Sequence, residues 1–82
     1  MMSKEELYAQ LQTYLEELFE IPAEEVHLDA RLVEDLDLDS IDAVDLIVKL
    51  QELTGQRVSQ EAFKSVRTVR DVIDTVHDLL AA

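Results

Sequence analysis

The chain has 82 residues and a formal net charge of −12 at pH 7, with 19 acidic side chains against 7 lysines and arginines. That balance excludes nucleic acid and anionic lipid as partners, since both repel an acidic surface, and it favours basic proteins or cations. Cysteine is absent, so no disulfide supports the fold and no thiol of the chain's own serves as nucleophile or soft metal ligand.

Hydrophobic residues at 48% and charged residues at 32% suit a small helical domain, and a single glycine and a single proline leave few breaks for a sheet. Apolar runs are only a few residues long, which gives no membrane span and no signal peptide, and the expected location is the cytoplasm. Residues 1–82 are read as one domain without internal repeats.

Ser3 with Glu6 fits a capping box, and Leu7, Leu11, Leu15 and Leu18, with Tyr14 beside them, recur at helical spacing. The first helix is therefore expected over Lys4 to Phe19, with Pro22 just beyond it. Residues 20–39 have no sustained period but hold Ile21, Val26, Leu28, Leu32, Val33, Leu36 and Leu38. So apolar a connection is expected to pack across the bundle, with a short helical turn near Glu24. Asp39 is read as the cap of a second helix with Asp42 at its third position, and Thr54-Gly55 as its end. Ile41, Val44, Leu46, Ile47, Val48 and Leu50 give that helix a wide apolar stripe. Ser59 is read as the cap of a short helix over Gln60 to Ser65. Thr68 with Asp71 opens the last helix, whose apolar face is Val69, Val72, Ile73, Val76, Leu79 and Leu80. The fold class is all-α: a small irregular four-helix bundle of three main helices and one short one, with a long first loop.

The densest chemistry lies in EDLDLDSIDAVDL, residues 34–46, where Glu34, Asp35, Asp37, Asp39, Asp42 and Asp45 surround Ser40. At the first position of a helix, Ser40 is expected to point outward near unpaired backbone amides, which with the helix dipole favour an anionic group such as a phosphate ester. An ordinary helix-start serine is the plainer role. Ser40 makes a poor nucleophile, because the surrounding carboxylates oppose an alkoxide and neither His27 nor His77 is near in sequence. A calcium loop counted from Asp35 puts Ser40 at the glycine, Leu46 at the bidentate glutamate and Asp42 at an apolar place. No catalytic residue and no metal ligand set is read from the chain.

LDLDSIDAVDLIVKL resembles the modification site of the acyl carrier proteins, in which Asp-Ser-Leu opens the second helix. Helix lengths, the long first loop and the TVRDVID start of the last helix extend the resemblance over essentially the whole chain. It implies a carrier rather than an enzyme. Ser40 would receive 4′-phosphopantetheine from coenzyme A through a magnesium-dependent phosphopantetheinyl transferase, and the arm's thiol would hold acyl groups as thioesters. Such a borrowed thiol is consistent with the missing cysteine. Asp39, Asp42 and Asp45 match acidic positions that in the family face basic patches on acyl-transferring and condensing enzymes, and Glu34, Asp35 and Asp37 extend the docking set. By position Ile47, Val58, Phe63, Val66 and Val72 would line an acyl pocket, with core packing as their alternative role. Phe63 and Val72 are larger than expected, which implies a reduced cavity that sequesters long chains less well. The free carrier is expected to be a monomer.

Three departures from the family pattern stand out. Ile41 stands in place of leucine, Asp37 stands where glycine is common, and Lys49 and Gln51 interrupt the acidic run. The last departure points toward a specialised acyl or polyketide-like pathway beside fatty-acid synthesis. A peptidyl carrier would favour a glycine-rich run before the serine. From a different class, an unmodified acidic adaptor would bind basic proteins with Ser40 merely starting a helix.

Overall fold

A computed structural model describes residues 2–58 and 60–81, apart from the side chains of Ser40 and Gln60. The expected cap at Ser59 lies outside the described residues. Three helices carry the fold: α1 (Lys4–Phe19), α2 (Ser40–Thr54) and α3 (Val69–Ala81). Short 3₁₀ turns occupy Ala23–Glu25 and Gln60–Phe63. Among the described residues there is no strand, and no helix is long and apolar enough to cross a membrane.

The expected capping box starts α1: the Glu6 amide donates to Ser3 Oγ and the Ser3 amide to Glu6 Oε1, both at 3.2 Å. Leu7, Leu11 and Leu15, four residues apart, form its buried stripe. Leu18 breaks that spacing and lies exposed, outside the apolar face assigned to it. The helix ends with Glu20 in the left-handed region at φ 57°.

The face of α2 also differs from expectation. Leu46, Ile47 and Leu50 are buried, whereas Ile41, Val44 and Val48 are 71%, 41% and 45% exposed. A stripe of six apolar residues is wider than one helix can bury in so small a bundle, so the side facing α1 and α3 wins. Gly55, with φ 68°, closes the helix as read from sequence.

The long connection is fastened at three levels. At its start the Tyr8 hydroxyl donates to the Val26 carbonyl at 2.7 Å, and Gln12 Nε2 donates to the same oxygen at 3.2 Å. In its middle, the amides of Arg70 and Val69 donate to the carbonyls of Leu28 and Ala30, each at 3.0 Å, and the Leu32 amide donates to the Arg67 carbonyl at 2.9 Å. These bonds enclose an isolated antiparallel bridge between Arg31 and Thr68. At its end Leu36 and Leu38 are buried, joining Ile21, Val26 and Ala30 in one core with the helices.

The second 3₁₀ turn stops at Phe63, short of the expected Ser65. Its surroundings explain the brevity. Gln51 Oε1 holds the Val58 amide at 2.9 Å on one side, and the Leu32 amide holds the Arg67 carbonyl on the other. Between those points the chain closes with i to i−3 bonds, Lys64 to Glu61 and Val66 to Phe63. Thr68 and Asp71 form the box that opens α3: the Asp71 amide donates to Thr68 Oγ1 and the Thr68 amide to Asp71 Oδ2.

Candidate functional site at the start of the second helix

Ser40 is the first residue of α2, and its two neighbours Asp39 and Ile41 are exposed. Asp39 Oδ1 accepts from the amides of Ile41 at 3.0 Å and Asp42 at 2.9 Å, while Asp42 Oδ2 accepts from the Asp39 amide at 3.2 Å. This corrects one expectation. Of the backbone amides near Ser40 expected to be unpaired, those of Ile41 and Asp42 are already satisfied by Asp39, because a short carboxylate at the cap reaches them first. What remains for an anion at this end is the helix dipole, opposed by two fixed carboxylates.

The six acids divide by what they touch. Asp39 and Asp42 hold the helix start. Glu34 and Asp35 flank Arg31, whose Nε lies 3.4 Å from Glu34 and 3.6 Å from Asp35. Asp35 Oδ2 also accepts the Arg31 amide at 2.8 Å. That backbone bond, reinforced by the guanidinium, holds the Asp35 carboxyl below its ordinary pKa. Among the described residues Asp37 and Asp45 make no ion pair and no side-chain hydrogen bond, and both are exposed. Asp37 adopts φ 58°, a left-handed conformation that suits a position where glycine is common. Lys49 pairs with Glu52 at 3.7 Å. Gln51, read as part of a break in the acidic surface, instead reaches Val58 and holds the following loop.

Beside the helix start lies a partly open cavity of about 240 Å³. Of the five acyl-pocket candidates, Phe63, Val66 and Val72 line it, whereas Ile47 and Val58 are buried and do not. Sequence reasoning missed Leu32, Val33, Leu38, Ala43, Leu46 and Arg67, which complete most of the wall. The signal for Ala43 and Leu46 was available, since both share a helix face with Leu50. The signal for Val33 and Arg67 was not, because the bond from the Leu32 amide to the Arg67 carbonyl joins parts of the chain far apart in sequence. Among the described residues no group of three or more acidic or histidine side chains is placed to hold a metal ion.

Comparison with known proteins agrees with this arrangement. The chain matches the phosphopantetheine attachment site family over residues 9–76. It is 53% identical over 81 residues to acyl carrier protein 2 of Ralstonia nicotianae, covering 99% of this chain and 100% of that protein. It is 36% identical over 80 residues to an acyl carrier protein of Saccharopolyspora erythraea, covering 98% of this chain and 84% of the relative. A crystal structure of an acyl carrier protein from Thermotoga maritima superposes with a TM-score of 0.84 at 29% identity, covering 98% of this chain and 93% of the other.

A helical chain with an exposed loop-to-helix junction and a phosphopantetheine attachment signature is a carrier and not a catalyst. The chain belongs to the acyl carrier protein family. Its prosthetic group is a covalently attached 4′-phosphopantetheine, and its role is to carry acyl groups in biosynthesis. That role brings it to a phosphopantetheinyl transferase and to acyl-transferring and condensing enzymes.

Proposed function

We propose that Ser40 is the attachment point of the arm. The observation that carries this reading is its position: the first residue of α2, between exposed Asp39 and Ile41 and within the matched region. The residues fit the group as a tether. A serine hydroxyl supplies the ester oxygen, the exposed neighbours leave room for a modifying enzyme, and the amide donors that would clamp the phosphate are occupied by Asp39. The arm contributes a thiol that holds acyl groups as thioesters. With the Ile41 and Asp42 amides satisfied and carboxylates on both sides, the helix start repels the phosphodiester and leaves the arm free to swing.

Glu34, Asp35, Asp37, Asp39, Asp42 and Asp45 form the docking surface for basic patches on partner enzymes. Asp37 and Asp45, free of internal partners among the described residues, are the acids most open to an incoming basic group. Individual exposed pairs contribute only about 0–1 kcal/mol, but a cluster steers association and permits quick release. The outward Ile41, Val44 and Val48 supply apolar contact beside them. The net charge of −12 also disfavours self-association, which supports a monomer between encounters.

Intact mass after incubation with coenzyme A, magnesium and a broad-specificity phosphopantetheinyl transferase tests the assignment. One phosphopantetheine is expected on the native chain and none on Ser40→Ala. An adduct that persists in the variant overturns it.

A further inference from the structure

The seven lysines and arginines fall into two groups. Four lie in ion pairs: Lys4 with Asp74 at 3.1 Å, Arg31 with Glu34 at 3.4 Å, Lys49 with Glu52 at 3.7 Å and Arg70 with Asp29 at 3.0 Å. Arg57, Lys64 and Arg67 make no ion pair among the described residues, and all three are exposed. They share the connection between α2 and α3, in which Glu61 is the single acid. The rest of the chain holds four cations against 18 carboxylates. An acidic molecule thus carries one locally basic edge.

Backbone bonds hold the stems of these cations. Next to Arg57 the Val58 amide donates to Gln51 Oε1 at 2.9 Å, and the Lys64 amide donates to the Glu61 carbonyl at 3.2 Å. The Arg67 amide donates to Asp71 Oδ2 at 3.1 Å, and its carbonyl accepts from the Leu32 amide at 2.9 Å. Fixed stems lose less freedom when a partner arrives. Arg57 follows the far end of α2, and Arg67 stands with Glu34 and Asp39 beside the helix start. The basic edge therefore returns from the end of α2 to the border of the acidic surface.

We propose that Arg57, Lys64 and Arg67 form a second docking surface, opposite in sign to the first. Its occupant is an acidic margin of the enzyme whose basic patch meets Asp39, Asp42 and Asp45. The inference rests on the reading of those acids as a docking surface. A net charge of −12 repels a long polyanion. A short acidic segment of a protein already held at the acidic end arrives instead at high effective concentration. An enzyme that is basic along the whole contact meets three like charges, so the two signs together select the partner and fix its orientation.

The test titrates the full chain with charged peptides at ~0.15 M salt, where a screening length of ~8 Å confines each to nearby charges. Hexalysine is expected to shift the backbone amides around Asp39, Asp42 and Asp45, and hexaglutamate those around Arg57, Lys64 and Arg67. Peptides that join the two through stiff proline spacers of roughly 9–28 Å cover the 30 × 23 × 20 Å molecule. The best of them is expected to bind about tenfold tighter than hexalysine. Arg57→Gln, Lys64→Gln and Arg67→Gln combined are expected to abolish that gain while hexalysine still binds. No hexaglutamate shift, no gain at any spacer length, or a gain that survives the triple substitution overturns the second surface and leaves the first standing. A short oligonucleotide or anionic vesicles that shift these residues when hexaglutamate does not overturn an acidic protein as the occupant. No hexalysine shift overturns the first surface and the proposal with it.

Discussion

The Asp39 carboxylate accepts from two amides at the start of α2 and receives a returning bond from Asp42. Capping and docking charge therefore reside in one side chain, and substitutions separate them. Asp39→Asn keeps an acceptor at the cap, so its stability is expected to change by only a few tenths of a kcal/mol. Asp39→Ala removes both bonds and is expected to cost about 1 kcal/mol. Both variants lose the same charge and are expected to associate more slowly with a basic partner enzyme, by a similar factor that shrinks as salt is added. Urea unfolding beside stopped-flow association checks the separation; an Asn variant as unstable as the Ala variant contradicts it. The caps themselves were legible in the sequence, because Ser3–Glu6, Asp39–Asp42 and Thr68–Asp71 are local patterns three residues apart. The loss of the expected phosphate cradle was not, since it depends on which acceptor reaches the amides first.

The three helices follow from spacing that any short window contains, and their bounds agree with the expected ones at both ends of α1 and α2. What spacing could not supply is which apolar residues face inward when a helix has more of them than one side can bury. Ile41, Val44 and Val48 of α2 show the limit, and so does Leu18 of α1. The bridge between Arg31 and Thr68 joins residues far apart in the chain, and no local pattern announces it. Helix ends also differ in how well residue suits backbone. Gly55 takes φ 68° without steric cost, whereas Glu20 takes φ 57° with a side chain. Glu20→Gly is expected to stabilise by roughly 0.5–1 kcal/mol, and Gly55→Ala, which meets no neighbour within 4 Å, to destabilise by about 1 kcal/mol through backbone strain alone. Denaturant midpoints of the two variants should move in opposite directions; movement in the same direction refutes the assignment.

Across the whole molecule the net charge of −12 acts within principal extents of 30 × 23 × 20 Å. The screening length falls from ~30 Å at ~0.01 M salt to ~3 Å at ~1 M. Every carboxylate feels every other at the low end and only near neighbours at the high end. The melting temperature at neutral pH is therefore expected to rise by about 5–10 °C over that range. Acid acts in two directions. Protonating unpaired carboxylates first relieves repulsion. Asp35 and Asp71, held below the ordinary aspartate value of 3.8 by the amides of Arg31 and Arg67, then lose their bonds. Because their folded pKa values are depressed, the stability they add is present above that ordinary value and is lost as pH falls through the folded ones. Melting temperature at low salt should thus pass through a maximum on the acid side of neutral and drop below about pH 4. Calorimetry across pH and salt reads both effects, and indifference to ionic strength would count against the repulsion.

The backbone bonds that join Leu28, Ala30 and Leu32 to Arg70, Val69 and Arg67 run from main chain to main chain. They hold two walls of the cavity together whatever side chains those walls present, provided proline stays out of the donor positions. Frame and lining are thereby independent of one another. Exchanges at Leu32, Val33, Phe63 and Val66 are expected to reshape the cavity while the surrounding scaffold stays in register. A single backbone can in this way serve several chemistries, each distinguished by a handful of replaceable side chains.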